Sequence, residues 1–367
     1  MKNRALFVLI SGLLMLARYG SAQPFNFASI DVQCPAAATT CPAGIAPGEM
    51  AMATWASGIG PAGEIVGGYM TAGGIEHGYL YQNGVVASID VPGDVVGLDP
   101  DVLLQGEVGG INPRGDMVGD YFVPQNAPEA PSACVTARLP NGKPNPFAPA
   151  CHRGFLYSRG QFSTILVTDP HGVTHLGSIP SAISPDGTIY GCLHDTTLGA
   201  QMIGFVRIQH GKSTDFETLQ AGAGEVTDPG QSSQSIVNSM NNAATPDGSF
   251  IVGLYVPPGA ARAHGYTVQN GHFTDYMFPG SVATQIWGIN PDGDFVGLYR
   301  DSALLVHGFL QPGDGSAPFP INYVDPDTHV QAPLTEAFSI NPAGAIVGTY
   351  LDSGGQHGFL AIPTTSN

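Results

Sequence analysis

Apolar and polar residues alternate along this chain in short runs, each cut off within a few positions by Gly, Pro or Asn-Gly. That period of two predicts strands, and the punctuation leaves no room for long amphipathic helices. One unit recurs. "GINPDGDFVGLYRDSALLVHGFL" at 288–310 has a near copy, "SINPAGAIVGTYLDSGGQHGFL", at 339–360, and the core of the unit appears six times, starting at residues 59, 111, 183, 244, 289 and 340. Its anchor glycines, Gly67, Gly119, Gly191, Gly253, Gly297 and Gly348, fall 44 to 72 residues apart. Repeats of that length point to propeller blades or solenoid turns.

Each copy parses into four strands. The first is an apolar stretch such as "TQIWGIN", ended by a Pro-x-Gly turn in which Pro presets φ and Gly accepts the reversal. The second is "DFVGLY", the third "HGFL" or "HGYL", and the fourth a run such as "VVASIDVPG". Between the third and fourth, "YQNGVV" and "VQNGHF" carry Asn-Gly, the pair favoured in two-residue hairpins. A four-stranded antiparallel meander repeated about an axis is a propeller blade. The sixth copy stops at "HGFLAIP" with no fourth strand, while "FNFASIDV" at 25–32 shares "ASIDV" with the first copy. The expectation is an all-β, six-bladed β-propeller over residues 23–367, with four antiparallel strands per blade. Its last blade is closed by an N-terminal strand, which removes an open sheet edge. Incomplete and complementary chain ends favour a ring over a solenoid, which needs polar caps.

The unit resembles that of the HAF-repeat family of extracellular-type repeat proteins, whose copies read "GINxxGxIVGxYxD...HGFL...DxPG". The resemblance covers nearly the whole chain after its leader. It implies export and a β-rich repeat fold, and it brings no catalytic residues to carry over.

The leader itself has Lys2 and Arg4 before an apolar run at 5–17, then Gly20-Ser21-Ala22. This reads as a secretory signal peptide over 1–22, with an apolar run too short to span a bilayer. Export to the periplasm or the extracellular space follows. With 50 Gly, 31 Pro, 11% charged residues and a net charge of −17, the chain is loop-rich and acidic. Nucleic acid and anionic lipid would be repelled, so neither these partners nor membrane insertion is expected, and the protein is expected to be a monomer. In an oxidising compartment the cysteines predict two disulfides, Cys34–Cys41 and Cys134–Cys151, the second pinning an insertion in blade 2 at 124–152. Cys192 sits in an apolar strand pattern and reads as a buried, inert thiol.

Candidate chemistry is sparse. His77, His264, His307 and His357 all precede Gly in the third strand, and a repeated His invites a metal ring. Arg153 and Ile203 interrupt the series, so these His read as structural, hydrogen-bonded to a neighbouring blade's turn. The anchor glycines read as packing sites for aromatic rings. Loops that depart from the repeat are better candidates. Asp94, Asp99 and Asp101, then Asp169, His171 and His175, then Asp325, Asp327 and His329 lie in fourth-to-first connections that gather on one face. His with carboxylate suits a divalent ion or acid–base work; the bland alternative is a solvated polar loop. No nucleophile elbow, zinc-protease motif, P-loop or EF-hand spacing occurs. The leading expectation is a non-catalytic binding or interaction module for an unknown protein or carbohydrate, without a cofactor. The alternative is a secreted, metal-dependent hydrolase or lyase acting on a glycan or lactone, using His171, His175 or His329 with nearby Asp.

Overall fold

A computed structural model describes residues 25–124, 127, 152–165, 167–168, 174–175, 177–193, 203–210, 213–218, 239–257, 260–269 and 272–364. The chain is all-β: among the described residues the single helical element is one 3-10 turn, Gly93–Val96. The expected signal peptide at 1–22, residues 125–126 and 128–151 of the insertion expected at 124–152, and the predicted Cys134–Cys151 pair lie outside the described residues. Cys34 and Cys41 form a disulfide, and Cys192 is a buried free thiol. Among the described residues no helix is long and apolar enough to cross a membrane.

Among the described residues, 24 of the 28 strands fall into six antiparallel groups of four, and the other four form two two-stranded ribbons. The first strands of these sheets are Ala53–Ile59, Gly106–Ile111, Ser178–Ile183, Ser239–Ala244, Ala283–Ile289 and Leu334–Ile340. Each is followed by its second and third strands in sequence order. In the sixth group the fourth strand is N-terminal: Phe25–Ile30 pairs antiparallel with Gly355–Pro363, Phe25 opposite Pro363 and Ile30 opposite Gly358. A single parallel pairing, Ala53 with Gln356, joins the sixth sheet to the first. Each first strand packs against the next, and the last packs against the first.

Repeat chemistry explains this packing. Every first strand carries a register shift at the same place, as between Ala56 and Gly58 or Ile286 and Gly288. Such a bulge kinks the strand and turns its carbonyl toward the second strand. At Gly297 a Cβ would lie 2.0 Å from the Gln285 carbonyl oxygen, and at Gly119 the same distance from that of Glu107. The anchor is therefore glycine because backbone occupies the space of a side chain, with Phe309 and Phe155 packed beside it. In the turns, Asn290 Oδ1 accepts from Asp292 N and Asp294 N, and Asn112 and Asn341 repeat the pattern. These side chains lock the Pro-x-Gly reversals.

Adjacent sheets bury apolar layers between them, such as Val66 against Val108, Tyr121 and Phe155, and Val347 against Ala56, Ile65 and Tyr69. A hydroxyl on the first strand also ties each junction but one: Gly154 N donates to Ser178 Oγ, Gly204 N to Ser239 Oγ, Phe278 N to Thr284 Oγ1, Tyr323 N to Thr335 Oγ1 and Val32 N to Thr54 Oγ1. Gly106 holds the sixth position of the series and has no hydroxyl to offer. Between the ends of the first strands lies a cavity of about 120 Å³ lined from all six sheets, with Pro61, Pro113, Pro185, Pro246, Pro291 and Pro342 around it.

Candidate active site

The position after each anchor glycine is small or apolar in five sheets: Gly68, Cys192, Leu254, Leu298 and Thr349. In the second sheet it is Asp120, which is 4% exposed. A bare carboxylate there would be strongly disfavoured. Its partner is His152, which opens the third strand: His152 Nδ1 and Asp120 Oδ2 are 2.5 Å apart. The carboxylate keeps the proton on Nδ1 and thereby orients the ring. Nε2 has no hydrogen bond among the described residues.

Opposite Asp120 in the ladder, on the first strand of the same sheet, stands Glu107. First strands alternate between buried and half-buried positions, and Trp55, Glu107, Gln285 and Glu336 belong to the half-buried set. Glu107 is half-buried, against the first sheet. It accepts a hydrogen bond from the Trp55 indole of the first sheet. Burial, then the charges of Asp120 and Glu76, push its carboxyl up to about 8, against the opposing pull of the Trp55 bond. At neutral pH it is held largely as the acid. Glu76, which opens the third strand of the first sheet, is raised by burial and by Asp120 and lowered by His152 and His77. Glu336 is likewise raised by burial, and Arg300 opposes the shift. A neutral carboxylic acid, an oriented imidazole and a buried carboxylate on one face can donate and accept protons in a single reaction.

The loop residues singled out in the sequence have other duties where they can be seen. Asp99 Oδ1 accepts from Asp101 N, and Asp94 lies in the 3-10 turn of the same connection. Asp325 Oδ1 accepts from Asp327 N, Thr328 N and Thr328 Oγ1, bonds that hold its carboxyl below the usual range. His329, at φ 58°, completes that turn by donating its N–H to the Asp325 carbonyl. Asp169 and His171 lie outside the described residues. His175 ends a two-residue strand paired with Val167–Thr168, and its side chain lies outside the description. Among the described residues no three His, Cys, Asp or Glu side chains converge to hold a metal ion.

The repeated histidines pair within their own sheets, where a neighbouring turn was expected. His77 meets Asp90 at 2.9 Å, His264 meets Asp275 at 2.8 Å, and His357 meets Asp31 at 2.6 Å, while His307 meets Asn322 at 2.9 Å. His77, His307 and His357 also stack on the second-strand tyrosines Tyr69, Tyr299 and Tyr350. Sequence reasoning passed over Glu107, Asp120 and His152. The available signal was a departure from the repeat: a charged residue where five copies hold Gly, Cys, Leu or Thr.

No family model matches the chain, and no curated protein matches it. Among solved structures it is similar to TolB from Acinetobacter baumannii, at 12% identity over 84% of this chain and 65% of that one, with a TM-score of 0.45. It is also similar to a gluconolactonase from Xanthomonas campestris, at 12% identity over 95% and 99% with a TM-score of 0.42, and to a Trypanosoma rangeli sialidase, at 6% over 84% and 54% with 0.44. The chain thus spans less than two thirds of the length of TolB and of the sialidase. These neighbours are β-propellers. The expected non-catalytic binding module is corrected here on the chain's own residues, since the Glu107 carboxyl, raised by burial, stands across the ladder from the Asp120–His152 pair; the similar structures include a gluconolactonase and a sialidase. Likeness at these TM-scores lends no weight to a particular activity, so the functional reading rests on the site.

Proposed function

We propose that this protein is an exported hydrolase of a glycan or lactone, built as a six-bladed propeller of the HAF-repeat kind and closed by its N-terminal strand. The contact of the first strand with the last and the pairing of Phe25–Ile30 support the closure. One observation carries the chemistry: Glu107, whose carboxyl burial holds largely protonated, stands across the ladder from the Asp120–His152 pair.

The division of labour follows from the proton positions. A substrate carbonyl or acetal carbon held beside Glu107 and His152 is attacked by water, whose proton passes to His152 Nε2 while Asp120 stabilises the imidazolium formed. The bond to the leaving oxygen breaks, and Glu107 gives that oxygen its proton. His152 then returns its proton to Glu107 through solvent, so one water is consumed per bond cleaved. Trp55 fixes the carboxyl through its indole N–H.

The test is hydrolysis of a panel of sugar lactones and oligosaccharides by the full chain, with Glu107→Gln and His152→Gln alongside. Each substitution should lower kcat/KM by about 10²–10⁴-fold, the usual share of a positioned acid or base, with the fold unchanged. Full activity in either variant, or no turnover of any panel member by the wild type, overturns the reading.

A further inference from the structure

The repeat is broken twice at the axis, and both breaks fall on one spot. The last residue of the first strand is Ile in five sheets, Ile59, Ile111, Ile183, Ile289 and Ile340, and Ala244 in the fourth. The residue before the anchor glycine is Val in five sheets and Tyr190 in the third. Ala244 and Tyr190 belong to one apolar cluster, and both line the cavity of about 120 Å³ between the first-strand ends. Ile183, Ile289 and Ile340 are buried at this position, whereas Ala244 is half-buried. The branched side chain that five copies place here is missing from the fourth, and the space it would fill stays open.

The wall of this space says what it fits. Pro, Ile and Ala make up most of it, and no charged side chain lines it. Its polar side chains are already engaged: the Asn290 carboxamide bonds Asp292 N, Asp294 N and Asp294 Oδ2, and the Tyr190 hydroxyl and Ser184 bond each other. A buried water needs about two to four polar partners, which such a wall does not supply. Apolar cavities of about 150 Å³ stay dry and take up benzene or xenon, so one of about 120 Å³ suits a single small ring. The aromatic ring of Tyr190 gives that ring a face or an edge to meet. All six prolines around the cavity are exposed, so its mouth meets solvent.

We propose that this cavity binds a small apolar molecule of one ring, about the size of benzene, seated against Tyr190 in the place left by the Ile missing at 244. The proposal does not rest on the hydrolase reading: Glu107 stands near the start of the strand Gly106–Ile111, and the cavity lies at its end. A ligand touching all six sheets binds the closed ring and not the unfolded chain, so it stabilises the ring by mass action.

The test is a calorimetric titration of the full chain with benzene, paired with thermal melts at rising benzene concentration. Wild type should bind saturably with one site per chain, and its Tm should climb with concentration. Naphthalene, with two fused rings, should bind at least about 10-fold more weakly. Ala244→Ile, which writes the repeat's own residue into the space, should weaken benzene binding by at least about 10-fold. Tyr190→Phe keeps the ring and should bind as wild type. Should Ala244→Ile fail to fold, Ala244→Val decides by the same comparison, with a smaller loss expected. No saturable benzene binding by wild type overturns the proposal, as does a folded Ala244 variant that binds equally well or naphthalene bound as tightly as benzene. None of these readouts depends on turnover, so a chain that hydrolyses nothing but binds benzene in this pattern leaves the cavity proposal standing and overturns only the hydrolase reading.

Discussion

The second and fifth sheets are built on one plan and hold different chemistry. Glu107 faces Asp120 in one ladder as Gln285 faces Leu298 in the other, and His152 opens its third strand where Val306 opens its own. Around these positions the scaffold is unchanged: the same bulge, the same anchor glycine under a carbonyl, the same buried aromatic in Phe155 and Phe309. In the fifth sheet Leu298 and Val306 are 4% and 5% exposed, core residues of the ordinary kind. The second sheet places an acid and a base in those same slots. A repeat supplies identical geometry at each turn, so chemistry enters through substitution at equivalent sites, without new backbone.

The most severe way to break this comparison is to write the fifth sheet into the second. Asp120→Leu with His152→Val should remove hydrolysis by about 10²–10⁴-fold, the share of the lost base. A thermal melt should meanwhile show Tm unchanged or raised, because a buried charged pair replaced by apolar side chains is often neutral or stabilising. Retained activity would mean the two sheets differ in nothing that matters to the reaction. Next in size, Phe155→Ala and Phe309→Ala should each lower unfolding free energy by about 3–5 kcal/mol in urea titrations. Unequal losses would show that the shared plan stops short of shared energetics. The smallest effect concerns pH. The Glu107 carboxyl is raised in the folded protein from 4.5 to about 8, so its contribution to stability is full below 4.5 and is lost as pH climbs through about 8. Glu107→Gln, which copies Gln285, should flatten the decline of Tm with rising pH across that window. A variant whose profile stays parallel to wild type would mean that Glu107 titrates normally.

Much of the scaffold was legible because strand and turn rules are local. "TQIWGIN" followed by Pro-x-Gly, the Asn-Gly hairpins and the shared "ASIDV" each announce an element within a few residues. The site was less so. Asp120 and His152 are 32 positions apart with the blade-2 insertion between them, and Glu107 meets Trp55 across 52 positions of chain. Attention went instead to Asp94, Asp99, Asp101, Asp325, Asp327 and His329, where carboxylate and imidazole are neighbours in sequence. In Asp99 and Asp325 that proximity serves the loop itself, whose backbone N–H groups need acceptors. The repeated histidines were read as structural and bonded to a neighbouring blade's turn; their partners are Asp275 on the adjoining strand and Asp90, Asp31 and Asn322 one residue past it, at separations set by hairpin length.

By itself the sequence determined the strands, their turns, the positions of the anchor glycines and the pairing of Cys34 with Cys41, because each depends on residues close along the chain. The tertiary structure alone decided which side chains share an environment. Whether Glu107 is an ordinary surface carboxylate or a poised acid depends on how much water reaches it and on the charges of Asp120 and Glu76 nearby. Solvation and Coulomb interaction act through space, and no spacing in the chain encodes them.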